Sequence, residues 1–234
     1  MRRGVFYPME NFFKTIAALF AWGGELWQII GVTLRMSFTS TLISFVLGGA
    51  LGVLVGMHSF RGKRLILSIT STLMGLPPVL AGLIVFFLLS RSGPLGTLRL
   101  LYSVTAMVVA QVLLITPIVL NMTATAVGEK APAIRETLFG LGVPRRRRFL
   151  LMLREVKTEL FAVLCLGFGR AISEVGAAQI VGGNVQYKTR VMTTAIVLET
   201  NKGNFNMALA LGALLLVMAF LINLFGRALN RRRL

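Results

Sequence analysis

Five long apolar stretches constrain this chain more than any other feature. They run over Ile29–Met57, Leu65–Ser90, Leu101–Val127, Leu160–Val181 and Phe205–Gly226. Each exceeds the roughly 18 residues that mark a candidate membrane helix. Charges inside them are few: Arg35 in the first, Arg170 and Glu174 in the fourth. In lipid every backbone N–H and C=O must be bonded within the protein, so spans of this kind are helical. The expected fold is all-α, a polytopic helical membrane protein of one domain with about five transmembrane helices. Composition agrees: 56% of the 234 residues are hydrophobic and 14% charged, against about a quarter charged in soluble domains.

The formal charge is +17. In a soluble protein this would suggest nucleic acid. Here the cations cluster between and beyond the apolar stretches, and no aromatic-basic binding motif accompanies them. Membrane lipid is the expected partner and nucleic acid is not. With five spans, one set of exposed segments holds Arg61, Lys63, Arg64, the stretch Lys130–Lys157 and the tail from Arg227 to Arg233. That set carries about twice the Lys and Arg of the opposite set. The positive-inside bias puts it in the cytoplasm. The protein is then a multi-pass component of the inner, cytoplasmic membrane, with its N-terminus outside and its C-terminus inside. Residues 1–28 read as an extracytoplasmic or interfacial segment, amphipathic over Asn11–Trp27, with a short sixth span as the alternative. They lack the apolar core and small-residue site of a cleaved signal peptide. Residues 29–228 form the membrane domain and 229–234 a basic cytoplasmic tail.

Polar and special residues inside the spans carry structural expectations. Gly48, Gly52 and Gly56 recur every four residues, a stripe that lets another helix approach closely. Pro77 and Pro78 predict a kink or unwound point in the second span. They shape either a pathway wall or only the fold. Gln111 and Asn121 should face other helices. Arg35 should reach back to the outer interface. Arg170 and Glu174 stand four residues apart on one helical face, with Glu174 about 21 Å along a helix counted from Leu160. Ionisable residues at such depth are functional candidates. Two readings stay open, a gate in a translocation path and a structural ion pair. Gly182-Gly183-Asn184 offers either anion-binding backbone donors or an outer loop for a receptor.

Most enzyme classes are excluded. The chain has no aspartate, a single histidine (His58) and a single cysteine (Cys165). It has no H-E-x-x-H motif and no G-x-x-x-x-G-K-[ST] phosphate loop. No catalytic residue and no metal site is expected.

The segment 128–157 is the polar, strongly basic loop between two spans. Pro132 is placed to start a helix, with Glu136 near the positive first turn. Thr137–Leu141 predicts a short helix, stopped at Gly142, with a second helix from Arg145 leading into the membrane. Leu138, Phe139 and Leu141 give the short helix exposed apolar surface, which calls for a partner. Arg145–Arg148 suit lipid headgroups, acidic partner side chains or plain solvation. A basic helical prong of this kind reads as the docking point of a transporter subunit driven by another protein.

Glu136-Thr137-Leu138-Phe139-Gly140-Leu141-Gly142 resembles the E-A-A-x-x-x-G loop of ABC importer permeases, keeping Glu136 and Gly142 in register and departing at Thr137 and Leu138. It departs again at Arg154-Glu155, where many members have Leu-Pro. Met74–Leu83, Leu88–Gly96, Gly167–Asn184 and Thr189–Phe205 resemble the oxyanion branch of that family, its tungstate permeases more than its molybdate permeases. The resemblance implies a homodimer with the pathway between the two copies. It implies separate ATP-binding-cassette ATPase subunits, which hold the ATP and magnesium, so this chain needs no cofactor. It also implies an extracytoplasmic oxyanion-binding protein. Arg135, Glu136, Leu138, Phe139 and Gly142 would couple the chain to the ATPase; Pro77, Pro78, Arg170 and Glu174 would belong to the path or gate. A molybdate permease is the alternative within the family, and a self-sufficient secondary transporter or channel the alternative outside it.

Overall fold

The computed structural model describes residues 23–231, which are helical and contain no strand. Residues 1–22, where most of the interfacial segment was expected, and 232–234 of the tail lie outside the described residues. Among the described residues nine α-helices follow in chain order: α1 (Gly24–Met57), α2 (Lys63–Met74), α3 (Pro78–Leu89), α4 (Val104–Gly140), α5 (Arg145–Glu155), α6 (Lys157–Ile172), α7 (Gly176–Gly182), α8 (Met192–Asn201) and α9 (Phe205–Arg231). A short 3-10 turn, Gly96–Leu98, precedes α4.

Helices α1 and α4 form the central pair. The face of α1 turned inward is small and polar: Thr33, Ser37, Ser40, Ser44, Gly48 and Gly52 are buried. Its outward face carries Phe38, Leu42, Val46 and Leu54, all exposed. This is the reverse of a soluble helix, because lipid gives apolar side chains no reason to hide and close backbone approach drives packing instead. The expected glycine stripe makes that approach. A Cβ on Gly48 would stand 2.7 Å from the Thr116 carbonyl oxygen, and one on Gly56 would stand 2.7 Å from Val127 Cβ.

The pairings fix topology. Ser40 bonds Gln111, Gly48 abuts Thr116 and Gly56 abuts Val127, so α1 and α4 run parallel. Helix α9 shares their direction: Leu26 of α1 packs with Leu211, while Arg35 and Phe38 share a groove with Ile222 and Asn223. Parallel spans need one return crossing between each of them. Two bent pairs supply it, α2 with α3 and α6 with α7. Three helices are long and apolar enough to cross a membrane, and with each bent pair counted as one span the described residues make up to five crossings.

The break expected at Pro77-Pro78 is present in Leu65–Ser90 and separates two 12-residue helices set at 99°. Pro78 opens α3 at its first turn, where its missing N–H is no loss. Several local expectations are corrected. The fourth span bends by 56° between α6 and α7, so Glu174 falls in the break rather than on a continuous helix. Pro132 starts nothing, and Thr137–Leu141 is no separate helix: Pro132 and Thr137–Gly140 lie inside the 37-residue α4, and Leu141 is its C-cap. An interior proline costs about 3 kcal/mol. Burial of Val127 and Ala131 against Val53, Met152 and Val156 holds the helix through it. Segment 128–157 is therefore helix almost throughout, not loop. At the other end α1 begins at Gly24, with Leu26 and Ile29 packed on Met192 and Ala195.

Candidate functional site

The basic prong is built from the end of α4, the turn at Gly142 and the start of α5. Gly142 has φ +64. Its amide donates to the Phe139 carbonyl at 3.0 Å, and the Val143 amide donates to the Leu138 carbonyl at 3.1 Å. This crossed pair of bonds around a left-handed residue is a Schellman stop. Pro144 then caps α5. From α5, Arg148 Nε donates to the Val143 carbonyl at 2.6 Å, and its guanidinium lies 5.4 Å from the centre of the Phe139 ring. Phe139 and Leu141 remain 72% exposed; Leu138 is half-buried and Glu136 exposed. Glu136 stands near the C-terminal end of α4, not in a first turn. The helix dipole offers its carboxylate nothing there.

Arg135 points the other way. Its guanidinium donates to the Met57 carbonyl at the end of α1, and Lys63 Nζ donates to the Gly56 carbonyl at 3.1 Å. Helix α1 has no basic residue in its own last turn, so two cations from elsewhere satisfy its terminal carbonyls. The prong is thereby tied to α1.

The second set of residues converges where the two bent spans meet. Gly176 at the start of α7 lies against Val79, one residue past Pro77-Pro78: a Cβ there would sit 2.9 Å from Val79 Cγ2. A Cβ on Gly82 would meet Ala177 Cα at 2.8 Å. In this junction Glu174 is 3% exposed. Its Oε2 pairs with Arg170 Nη1 at 3.1 Å. Its Oε1 accepts from the Ala177 amide at 3.3 Å, which caps α7. Its carbonyl accepts from Thr193 Oγ1 at 2.8 Å, which ties in α8. One residue thus joins three helices across the break. Arg170 borders an open groove of about 720 Å³, shared with Thr158, Gly169, Ser173 and Asn223.

Arg170 and Glu174 are paired here, and Pro77-Pro78 reach the junction through Val79, which packs on Gly176; Arg135, Glu136, Leu138, Phe139 and Gly142 are gathered at the other end. Gln111 and Asn121 face neighbouring helices as expected. Gln111 accepts from Ser40 Oγ at 2.6 Å and donates to the Ala171 carbonyl at 2.8 Å, while Asn121 holds α2 through Thr70 and the Leu67 carbonyl. Arg35 is exposed and lines an apolar groove between α1, α6 and α9. The Gly183 amide is not free for an anion, since it donates to the Gln179 carbonyl at 3.0 Å. Thr193 and Thr33 were missed in the sequence. Thr33 Oγ1 accepts from the first amide of α8 at 3.0 Å. Hydroxyls on apolar helices give no signal of which distant amide or carbonyl they meet.

An all-helical bundle with two bent return spans and an exposed apolar-tipped basic prong defines a multi-pass membrane transport component. Residues 48–234 match the family described as binding-protein-dependent transport system inner membrane component. The chain belongs to that family, and as a permease subunit it is not an enzyme. It is 40% identical to the tungstate uptake system permease protein TupB of Peptoclostridium acidaminophilum, over 93% of this chain and 95% of that one. It is 38% identical to a probable anion ABC transporter permease protein of Haloferax volcanii, over 88% and 90%. A second TupB, from Campylobacter jejuni, is 34% identical over 96% and 94%. The fold is similar to a bacterial ABC transporter that imports the acidic polysaccharide alginate, with TM-score 0.75, 19% identity and coverage of 98% and 90%.

Proposed function

We infer that this chain is the permease subunit of an ABC importer for an oxyanion, tungstate, working with a separate ATPase and an external binding protein. The observation that carries the reading is the near full-length similarity to two tungstate uptake permeases, at 40% and 34% identity. Sulfate permeases align at 25–27%, and no observation favours molybdate. Membership in a binding-protein-dependent family weighs against a self-sufficient channel.

The end of the bundle holding Met57, Lys63 and the prong faces the cytoplasm in this reading, and the end holding Gly24, Ser103 and Gly183 faces outside. Support comes from charge: Arg61, Lys63, Arg64, Lys130, Arg135 and Arg148 gather at the first end, as positive-inside bias requires. The N-terminus is then outside and the C-terminus cytoplasmic. Two copies pair, with the anion passing along the faces that carry Arg170. Glu174 pairs with Arg170 and offsets its charge, so the groove does not trap an anion. Phe139 and Leu141 enter a cleft of the ATPase, Glu136 offers it a carboxylate, and Arg135 relays the motion to α1. ATP and magnesium belong to the ATPase.

The test is uptake by vesicles holding permease, ATPase and receptor. ATP-dependent tungstate entry, resisting competition by sulfate, is expected. Tungstate entry without ATPase or ATP overturns the reading.

A further inference from the structure

The segment between α3 and α4 is a folded structure rather than a slack loop. Gly93 donates to the Ser90 carbonyl at 2.8 Å and Leu95 to the Leu88 carbonyl at 3.0 Å. The backbone is packed so tightly that a Cβ on Gly93 would stand 2.1 Å from the Phe87 carbonyl oxygen, and one on Gly96 would stand 2.2 Å from that of Ser90. Arg99 and Tyr102 both hold left-handed backbone, with φ of 50° and 58°. Side chains rarely adopt that region without tertiary support. The outcome is an open groove of about 680 Å³ with Arg91 and Arg99 on its rim, and Thr97 and Tyr102 in its wall.

Charge at this end of the bundle is unbalanced. Among the described residues its carboxylates are Glu25 and Glu199. Glu25 is taken by Arg190 at 2.6 Å and by Gln186 at 3.0 Å. Glu199 is taken by Lys202 at 2.7 Å and by Asn204 at 2.9 Å. Arg91 and Arg99 are exposed and have no ion pair among the described residues.

Tyr102 connects the groove to the junction of the bent spans. Its amide donates to the Val181 carbonyl of α7 at 3.0 Å. Its ring fills the space beside Gly183, where a Cβ would lie 2.6 Å from Cδ1. Helix α7 begins at the Glu174 cap. An object pressed into the groove therefore bears on the helix that closes the break.

We propose that this groove is a docking point for carboxylates on the surface of the external oxyanion receptor, held by Arg91 and Arg99, with Tyr102 passing the contact to α7. The proposal rests on the orientation and the receptor dependence argued above. The occupant is a protein acid rather than the free oxyanion because both guanidinium groups are exposed. A rim of that kind leaves a small dianion hydrated and free to escape, whereas rim charges steer the association of two proteins and act chiefly on its rate and salt dependence.

The experiment uses the permease–ATPase complex in vesicles with its own tungstate-loaded receptor. ATP hydrolysis and uptake are measured against receptor concentration at two ionic strengths. The double variant R91E/R99E should raise the receptor concentration for half-maximal uptake by roughly tenfold and flatten the salt dependence; the milder R91Q/R99Q should give an intermediate rise. Recovery of intact complex from the membrane shows that the variants fold. Y102A should lower the maximal receptor-stimulated rate. An unchanged receptor curve in both double variants overturns the docking point. So does a change seen equally when free tungstate replaces the receptor, which would make the groove an ion site. Wild-type complex that shows no receptor dependence at all would sink the functional reading instead.

Discussion

Gly52 on α1 and Thr123 on α4 approach so closely that a Cβ on the glycine would stand 2.7 Å from the threonine Cβ, and equally close to the Leu120 carbonyl oxygen. No rotamer change relieves a clash with backbone. Gly52→Ala should therefore separate the central helix pair and cost about 1–3 kcal/mol. Thermal unfolding of the detergent-solubilised protein checks this. The control is Gly49→Ala on the same helix, where the added Cβ meets nothing within 4 Å.

Gly142 is different, because a side chain there meets no neighbour and only its φ of +64 resists substitution. A non-glycine residue in that region costs about 1–2 kcal/mol. Gly142→Val should tilt the prong and lower transport per ATP hydrolysed, while the complex still assembles. Gly142→Asn, which tolerates left-handed backbone, should retain more of the coupling. Equal ratios of transport to hydrolysis in all three proteins would remove Gly142 from the coupling machinery.

Glu174→Gln keeps the shape of the side chain and an oxygen for the Ala177 amide. It removes the charge that faces Arg170. The Arg170 side chain is 35% exposed, so screening limits the stability loss to the order of 1 kcal/mol. Uptake should fall several-fold with assembly intact if the pair acts in gating. Unchanged uptake assigns it a purely structural role.

Glu199 titrates in a readable direction. Burial pushes its carboxyl up, but hydrogen bonds from Lys202 and Asn204 and the charges of Lys202 and Arg190 outweigh it, holding the group below the ordinary 4.5. A lowered folded-state value means that the folded protein favours the ionised form. The resulting stability is complete above about pH 4.5 and is lost as pH falls through the lower folded value. Melting temperature measured from pH 6 down to pH 3 should drop less steeply in Glu199→Gln than in the parent. Parallel curves would show that Glu199 does not contribute to the acid limb.

The number of crossings, the glycine stripe and the Gly142 stop were legible in the sequence. Each depends on local chemistry: apolar length, residue size and backbone freedom. The inward-facing Gln111 and Asn121 follow from the same logic, since a polar group on a membrane helix must find a partner. The prong was legible as residues but not as shape. Its Pro132 carries the mark of a helix start, and only burial of Val127 and Ala131 against α5 and α1 overrides that mark. Likewise Pro77-Pro78 announces a bend, yet its near right angle comes from Val79 seating on Gly176, a contact some hundred residues away in sequence.

What the chain alone determined was therefore its class, about five apolar crossings with a basic prong between the third and fourth, because transfer into lipid depends on composition and period. The tertiary structure decided that α1, α4 and α9 run parallel, that Glu174 caps one helix while bonding two others, and that Arg135 closes the end of α1. The helix directions rest on close packing of Gly48, Gly56 and Leu26 against distant helices, and the others include bonds to partners 19 and 78 residues away. Their energy depends on which partner comes within 3 Å, and only the packed helices determine that.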